Sequence, residues 1–446
     1  MKLSIWMNRK RFWRALAICI VLITILHLYT VSWFDITRQH DPMKHLLVLL
    51  GIVNFEPYSS YNSPYYYMFV GLLSSPFAAL YKMHLIDSIT FFWLAVIWSS
   101  FIFKIFYFVS SLILAQTLRF RFNEQFLFAT FCFLIPPIQR SLSMLRPENL
   151  ILVLTPLVCA LLIKWWRGYR NGVPIMNFPN AYLILVILAL ISAQKISGMI
   201  LVGLLIICAF IFMGGSWLSR VQTVVRPSLI FVGILVALLS IDKFSDGLSI
   251  FEHHAYERSQ YSSIPEISAF TKINLKKAWD NPLRDHHADS MINILLIDLF
   301  GDYWQYGILQ DHGQPEKWNI FRARVGIGIS IVFVSLYAIS FILMMALFLT
   351  RKKKSLLDYE KLALSSIYFF GIITLIITAL EIYNPSKFDT IKWEYIVMYI
   401  PFMMIPIIHL LSEIREEKVY KGLIILFSII LVCTLLQGVW LPPIKI

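Results

Sequence analysis

The chain has 446 residues, of which 58% are hydrophobic and only 15% are charged, and its mean hydropathy is +0.70. Soluble domains have about 45–50% apolar and about 25% charged residues. This composition excludes a water-soluble enzyme, a disordered protein and a nucleic-acid-binding module. It predicts an all-α integral membrane protein with many membrane-spanning helices.

The net charge of +13 comes from Lys and Arg residues that cluster in short tracts between apolar runs. The tracts are Arg119–Arg121, Lys164–Arg170, Arg220–Arg226, Arg351–Lys354 and Arg415–Lys421. Basic tracts in this arrangement mark the cytoplasmic loops of membrane proteins. We therefore expect membrane lipids with acidic head groups to be the partners of these tracts, and we expect no nucleic acid.

The first apolar run, 15–34, follows a basic N-terminus and lacks a cleavage site. It predicts a retained span with a cytoplasmic N-terminus. The run 63–81 is expected to lie re-entrant or interfacial on the outer side, and the run 181–213 to form two helices broken at Gln194–Lys195. The remaining spans are expected at 89–118, 125–138, 149–166, 228–243, 325–349, 361–382, 395–412 and 423–441. The total is about 11 (10–13) transmembrane helices.

This arrangement places every basic tract inside and divides the chain into three parts. Residues 1–243 form a transmembrane core whose first outer loop, 35–88, carries interfacial helices. Residues 244–324 form a large outer loop, and residues 325–446 form the C-terminal spans.

The unusual polar segments all fall on the outer side, as expected of an enzyme acting at that interface on a lipid-borne substrate. A transporter would more often place ionisable groups at mid-bilayer, on two similar halves.

The outer loop after the first span is rich in charge. Asp35 directly follows the span, and Asp41 precedes Pro42, which suits the first turn of a helix. Asp41 would then be the N-cap, and His45 would lie one turn later on the same face. Capping alone would account for Asp41, but it does not explain the density of Asp, His and basic residues in this loop.

An aromatic segment follows at residues 58–67 and includes Tyr66. Aromatic rings with Pro are typical of an interfacial belt, and they also suit a cleft for a sugar or a polyprenyl chain.

These features, in this order, resemble the GT-C membrane glycosyltransferases. These enzymes take a sugar from a polyprenyl-phosphate carrier on the outer or lumenal face. Residues 62–67 are similar to their Pro-Pro-Leu-x-Tyr-Tyr type segment, although only one Pro is present. Arg146-Pro147-Glu148-Asn149 is similar to their outer Arg-x-Glu-Asn feature, and residues 193–198 to a lysine-glycine break. The resemblance covers about residues 10–215, and the C-terminal half matches only in being helical and hydrophobic.

The resemblance implies an inverting transfer from a polyprenyl-phosphate sugar to a hydroxyl group of a glycolipid, polysaccharide or protein. A carboxylate must take the proton of that hydroxyl. Asp41 is the first choice for this catalytic base, and Asp35 is the second.

The leaving phosphate requires cationic donors. Arg146 and Lys195 are the first candidates, and Arg140 is the next. Arginine suits this role because guanidinium groups hold phosphate oxygens through paired bonds. The alternatives are structural: a pair between Arg146 and Glu148, head-group snorkelling of Arg146, or Lys195 as the positive pole of a helix break. The rest of the expected substrate-binding set is Glu148, His45, Tyr66, Asp302 and His287.

Two motifs of the large outer loop supply the last of these residues. His287 lies in Arg284-Asp285-His286-His287-Ala288-Asp289, which would contact sugar or acceptor, or form a solvated loop. A divalent metal there is left open, although adjacent histidines do not easily face one ion. Asp302 lies in Gly301-Asp302-Tyr303-Trp304, which would stack on a sugar or anchor an aromatic turn.

No cofactor beyond that metal is expected. The chain has no Walker A motif, no dinucleotide fingerprint and no nucleophile elbow, so a cytosolic nucleotide-sugar site is unsupported and a lipid-linked donor is favoured. We expect a multi-pass protein of a bacterial inner membrane with its active site on the outer face. Three alternatives remain. The first is a ligase or polymerase that uses diphosphate-linked glycan and depends on the loop 244–324. The second is a lipid or polysaccharide transporter, and the third is a non-enzymatic assembly subunit.

Overall fold

The computed structural model describes residues 2–33, 42–56, 64–212, 217–244, 272–282, 290–301, 317–351, 355–382 and 396–414, with a few more between 417 and 425. Helices dominate these residues, and no strand occurs among them, which confirms the all-α class. The helices are α1 (Lys2–Trp33), α2 (Pro42–Asn54), α3 (Pro64–Leu73), α4 (Ser75–Lys82), α5 (Ser88–Thr117), α6 (Phe122–Leu134), α7 (Pro136–Leu142), α8 (Glu148–Arg170), α9 (Ala181–Gln194), α10 (Ile196–Phe212), α11 (Trp217–Phe244), α12 (Leu275–Asp280), α13 (Met291–Phe300), α14 (Lys317–Thr350), α15 (Leu356–Ile382) and α16 (Ile400–Glu413).

Five of the described helices are long and apolar enough to cross a membrane. They contain the segments Lys10–Leu28, Ser88–Thr117, Glu148–Arg170, Arg220–Ser240 and Ala323–Thr350. The membrane character expected from the composition is therefore supported, whereas the total of about 11 spans stays a prediction. The expected span 423–441 lies almost wholly outside the described residues.

Several helix boundaries agree with the expected ones or correct them. The run 63–81 forms two helices of 10 and 8 residues, α3 and α4, each too short to cross a hydrocarbon core of about 30 Å. The expected span 125–138 ends as α6 at Leu134, because Pro136 and Pro137 begin the separate helix α7. Helix α11 begins at Trp217, so the tract Arg220–Arg226, expected in a loop, is helical.

Helix α5 lies at the centre of the first half of the chain and packs against α1, α3, α4, α6, α7 and α8. Two serine hydroxyls of α5 donate across these contacts, from Ser100 to the Leu142 carbonyl at 2.5 Å and from Ser110 to the Val153 carbonyl at 3.2 Å. By contrast, α1, α11 and α14 leave many apolar side chains exposed, such as Leu22, Val232 and Ile339. Exposed apolar stripes on long helices are expected where the surroundings are lipid.

Ion pairs join several helix ends at one end of the molecule, which we call the basic end. Arg167 at the end of α8 pairs with Glu360 of α15 and donates to the Thr117 carbonyl at the end of α5. Arg351, just after α14, pairs with Asp358 at 3.0 Å and with Glu413 at 2.6 Å. The basic tracts around Arg121, Arg167 and Arg351, expected on one side of the membrane, thus meet at one end of the protein.

Candidate substrate site at the far end of α8

Helix α8 leads from the basic end to the candidate site. It has 23 residues, which corresponds to a length of about 34 Å, and its first residue is Glu148. A hydrocarbon core is about 30 Å thick. Glu148 therefore lies at a distance from the basic end close to the thickness of the hydrocarbon core.

Glu148 forms an ion pair with Lys195. Lys195 separates α9 from α10 and has an extended backbone, with φ −164° and ψ 158°. Its ammonium group donates a short hydrogen bond to Glu148 Oε1, and the Glu148 side chain is 5% exposed while that of Lys195 is 28% exposed. The pair joins the start of α8 to the break between α9 and α10.

Gly198 makes this break sterically feasible. A Cβ atom at position 198 would lie 2.1 Å from the carbonyl oxygen of Ile191, inside the backbone of α9. The amides of Gly198 and Met199 bond the Lys195 carbonyl at 2.9 and 3.1 Å, which starts α10 immediately after the break. Lys195 therefore lies at the turn between the two helices. This confirms the break that the sequence predicts at Gln194–Lys195.

Tyr66 of α3 connects the aromatic segment to the same site. Its buried hydroxyl accepts the backbone N–H of Arg146 at 3.2 Å and the side-chain amide of Asn149 at 3.5 Å. Burial raises the pKa of Tyr66 well above its ordinary value, so the group is a neutral phenol. Two donors already bond the Tyr66 oxygen. The phenol can still donate its own O–H, and no described residue accepts that hydrogen bond.

His45 joins the site through the neighbouring tyrosine. Its Nδ1 lies 2.5 Å from the hydroxyl of Tyr67, and both side chains are buried. The Tyr67 ring contacts the Tyr66 ring edge to face, with centroids 5.3 Å apart. This contact holds α2 beside α3. The first residue of α2 is Pro42, which directly follows Asp41 in the chain.

Arg140 has a different environment from the one its expected role requires. The guanidinium group is fully buried and pairs with Asp298 of α13 at 2.7 Å. It also donates to the carbonyls of Asp298 at 3.0 Å and Gly301 at 3.1 Å. These contacts attach α13, which belongs to the expected large outer loop, to α7.

The structure therefore brings together five of the ten predicted site residues: Arg146, Glu148, Lys195, Tyr66 and, through Tyr67, His45. The predicted residues Asp35, Asp41, His287 and Asp302 lie outside the described residues. Within the described part of the chain, no group of three or more His, Cys, Asp or Glu side chains could hold a metal ion.

Lys104 was not predicted as a site residue. It lies in the middle of α5, is 1% exposed, and its Nζ is 3.4 Å from Nδ1 of His27 in α1. The preceding residue, Phe103, stacks on Tyr66 with ring centroids 5.8 Å apart. The expectation that ionisable groups gather at one interface thus has an exception, which the single Lys in the apolar run 89–118 could have revealed.

Comparison with known protein families and with curated proteins finds no match to this chain.

Proposed function

We propose that the chain is a membrane glycosyltransferase that takes a sugar from a polyprenyl-phosphate carrier at the N-terminal end of α8, where Glu148 lies. The observation that carries this proposal is the convergence of Arg146, Glu148, Lys195 and Tyr66 at a distance from the basic end close to the thickness of the hydrocarbon core. A lipid-linked donor would present its phosphate at this depth, with its chain in the hydrocarbon region.

The charges at the site suit an anionic ligand. Arg146 and Lys195 are two cations, and Glu148 is one carboxylate, so one positive charge remains among these three groups. Arg146 would hold phosphate oxygens through its planar fork, and Lys195 would act as a point charge on the leaving group. The Tyr66 O–H would donate a further hydrogen bond to the same ligand.

Asp41 is proposed as the base that takes the proton from the acceptor hydroxyl, as the family resemblance implies. It directly precedes Pro42, where α2 begins, and α2 contacts the site through His45 and Tyr67. Asp35 is the second choice for this role.

The test is turnover by the purified protein of radiolabelled polyprenyl-phosphate hexoses and pentoses. We expect Asp41→Asn to abolish release of sugar, and Arg146→Gln and Lys195→Gln each to lower kcat/KM by about 10²–10³-fold. Arg121→Gln is the matched control, because Arg121 lies at the basic end and its side chain is 63% exposed. The proposed site would be contradicted if the Arg146→Gln and Lys195→Gln variants each turned over the donor at the wild-type rate.

Transport is a second candidate, favoured by the buried pair of Lys104 and His27 within α5 and α1. Ionisable side chains at this depth are typical of transport pathways. Reconstitution in vesicles separates the two functions. A transporter would move labelled lipid-linked sugar across the bilayer without cleaving it, and Lys104→Met would stop this movement.

A further inference from the structure

Among the described residues, buried polar atoms without hydrogen-bond partners occur in three neutral side chains that lie close in sequence to the ion pair of Glu148 and Lys195. Gln194 is 1% exposed, and neither atom of its amide has a hydrogen-bond partner among the described residues. The hydroxyl of Ser197 and the amide oxygen of Asn149 are likewise buried without a partner there. Gln194 precedes Lys195 in the chain and Asn149 follows Glu148, so each of these residues is next in sequence to one member of the pair.

Such groups are unfavourable unless something bonds to them. A buried amide without partners destabilises a protein by about 1–3 kcal/mol, and folded proteins rarely retain one. Lys and Arg side chains can only donate hydrogen bonds, whereas amides and hydroxyls both donate and accept. Ligand hydroxyl groups also do both. The neutral side chains therefore match a hydroxylated part of a ligand, while the cations match its anionic part.

We propose that Gln194, with Asn149 and Ser197, binds the hydroxyl groups of the sugar and thereby selects the donor. This inference rests on the proposed function and specifies which residues hold which part of the substrate. The phosphate lies against Arg146 and Lys195, and the sugar lies beside it, against side chains adjacent in sequence to the ion pair. No bond is made or broken by these three residues, which position the sugar.

The experiment uses the full-length protein and the variant Gln194→Met, whose side chain is apolar and of similar length. Binding of two probes is compared: undecaprenyl phosphate, and the same lipid carrying a hexose or a pentose. We expect Gln194→Met to bind the bare lipid phosphate like the wild type. We expect the gain in affinity contributed by the sugar to fall by about tenfold or more.

Thermal unfolding in detergent distinguishes this role from a structural one. Gln194→Met removes an unpaired amide, so its unfolding temperature should equal or exceed that of the wild type. Gln125→Met is the matched control, because the Gln125 amide donates to the Phe120 carbonyl at 2.7 Å. It should lower the unfolding temperature and leave the preference for sugar intact.

Four outcomes would overturn the inference. Gln194→Met could keep the full preference for the glycosylated lipid, or it could lose the bare lipid phosphate as well, which would indicate a structural role. A wild type that binds the bare lipid phosphate with no preference for sugar would overturn the inference alone. A wild type that binds neither probe would overturn the proposed function too.

Discussion

The ammonium group of Lys195 bonds the carboxylate of Glu148, a residue 47 positions earlier in the chain. One member begins α8, and the other separates α9 from α10. The ion pair therefore positions the two cationic residues of the candidate site relative to each other, since Arg146 lies two residues before Glu148. Its strength can be measured directly.

The first prediction concerns this pair. Lys195→Met leaves the buried Glu148 carboxylate without its hydrogen-bonded cation and with only the charge of nearby Arg146, so we expect a loss of up to about 3 kcal/mol in unfolding free energy. The double variant Glu148→Gln with Lys195→Met removes both charges and should recover most of that loss. Chemical or thermal unfolding of the wild type, both single variants and the double variant gives the coupling energy. Strictly additive effects would show that the two groups do not stabilise each other.

The second prediction concerns the break itself. Gly198→Ala places a Cβ atom 2.1 Å from the Ile191 carbonyl oxygen, so α9 and α10 must move apart. Gly203→Ala on the same helix meets nothing within 4 Å and is the matched control. We expect Gly198→Ala to lower both stability and sugar transfer strongly. Gly203→Ala should be neutral or slightly stabilising, because alanine favours helix by about 1 kcal/mol. Equal effects of the two substitutions would disprove the close approach.

The contrast between these residues and Arg140 shows what sequence patterns can and cannot predict. The break at Lys195 was predictable, because Gln194–Lys195 interrupts an apolar run too long for one helix. The pairing of Arg140 with Asp298 was not, because it joins residues 158 positions apart that follow no local period. The early end of α6 had a signal in Pro136 and Pro137, yet the apolar run continues through them. Partners of charged residues depend on tertiary packing, which no local pattern encodes.

The third prediction concerns acid stability at the basic end. Burial opposes ionisation of Asp358, but hydrogen bonds from Ser355 and the charge of Arg351 outweigh it and hold the Asp358 pKa below its ordinary value. The folded state therefore binds this proton less tightly than the unfolded chain does. The resulting stabilisation is present above the ordinary carboxyl pKa and is lost as the pH falls below about 4.

Asp358→Asn should therefore lower the unfolding temperature at neutral pH and reduce its decline between about pH 5 and pH 3. Glu417→Gln, at an exposed pair with Lys421, is the control and should change neither quantity appreciably. A decline in Asp358→Asn as steep as that of the wild type would show that Asp358 does not contribute to acid sensitivity.

The fourth prediction concerns orientation. Lys82 precedes α5, and Asn171 follows α8, so the two exposed residues lie at opposite ends of these helices. With the expected topology, a membrane-impermeant maleimide applied to intact cells labels Lys82→Cys and spares Asn171→Cys. The described native cysteines are buried or half-buried, and a Cys433→Ser background removes the fifth. The reverse labelling pattern would place the candidate site on the cytoplasmic side.

The fifth prediction separates Arg140 from Arg146. Arg140→Met removes the cation that pairs with the buried Asp298 carboxylate and also deprives the Asp298 and Gly301 carbonyls of a donor. The expected loss in stability is about 3–5 kcal/mol, and Asp298→Asn in the same chain should restore part of it. Arg146→Gln should instead lower sugar transfer by more than any loss of folded protein explains, because Arg146 is the proposed phosphate ligand. Sugar transfer per folded molecule, measured beside thermal unfolding, tests both expectations. An Arg140→Met protein that is fully stable but inactive would assign Arg140 to the phosphate after all.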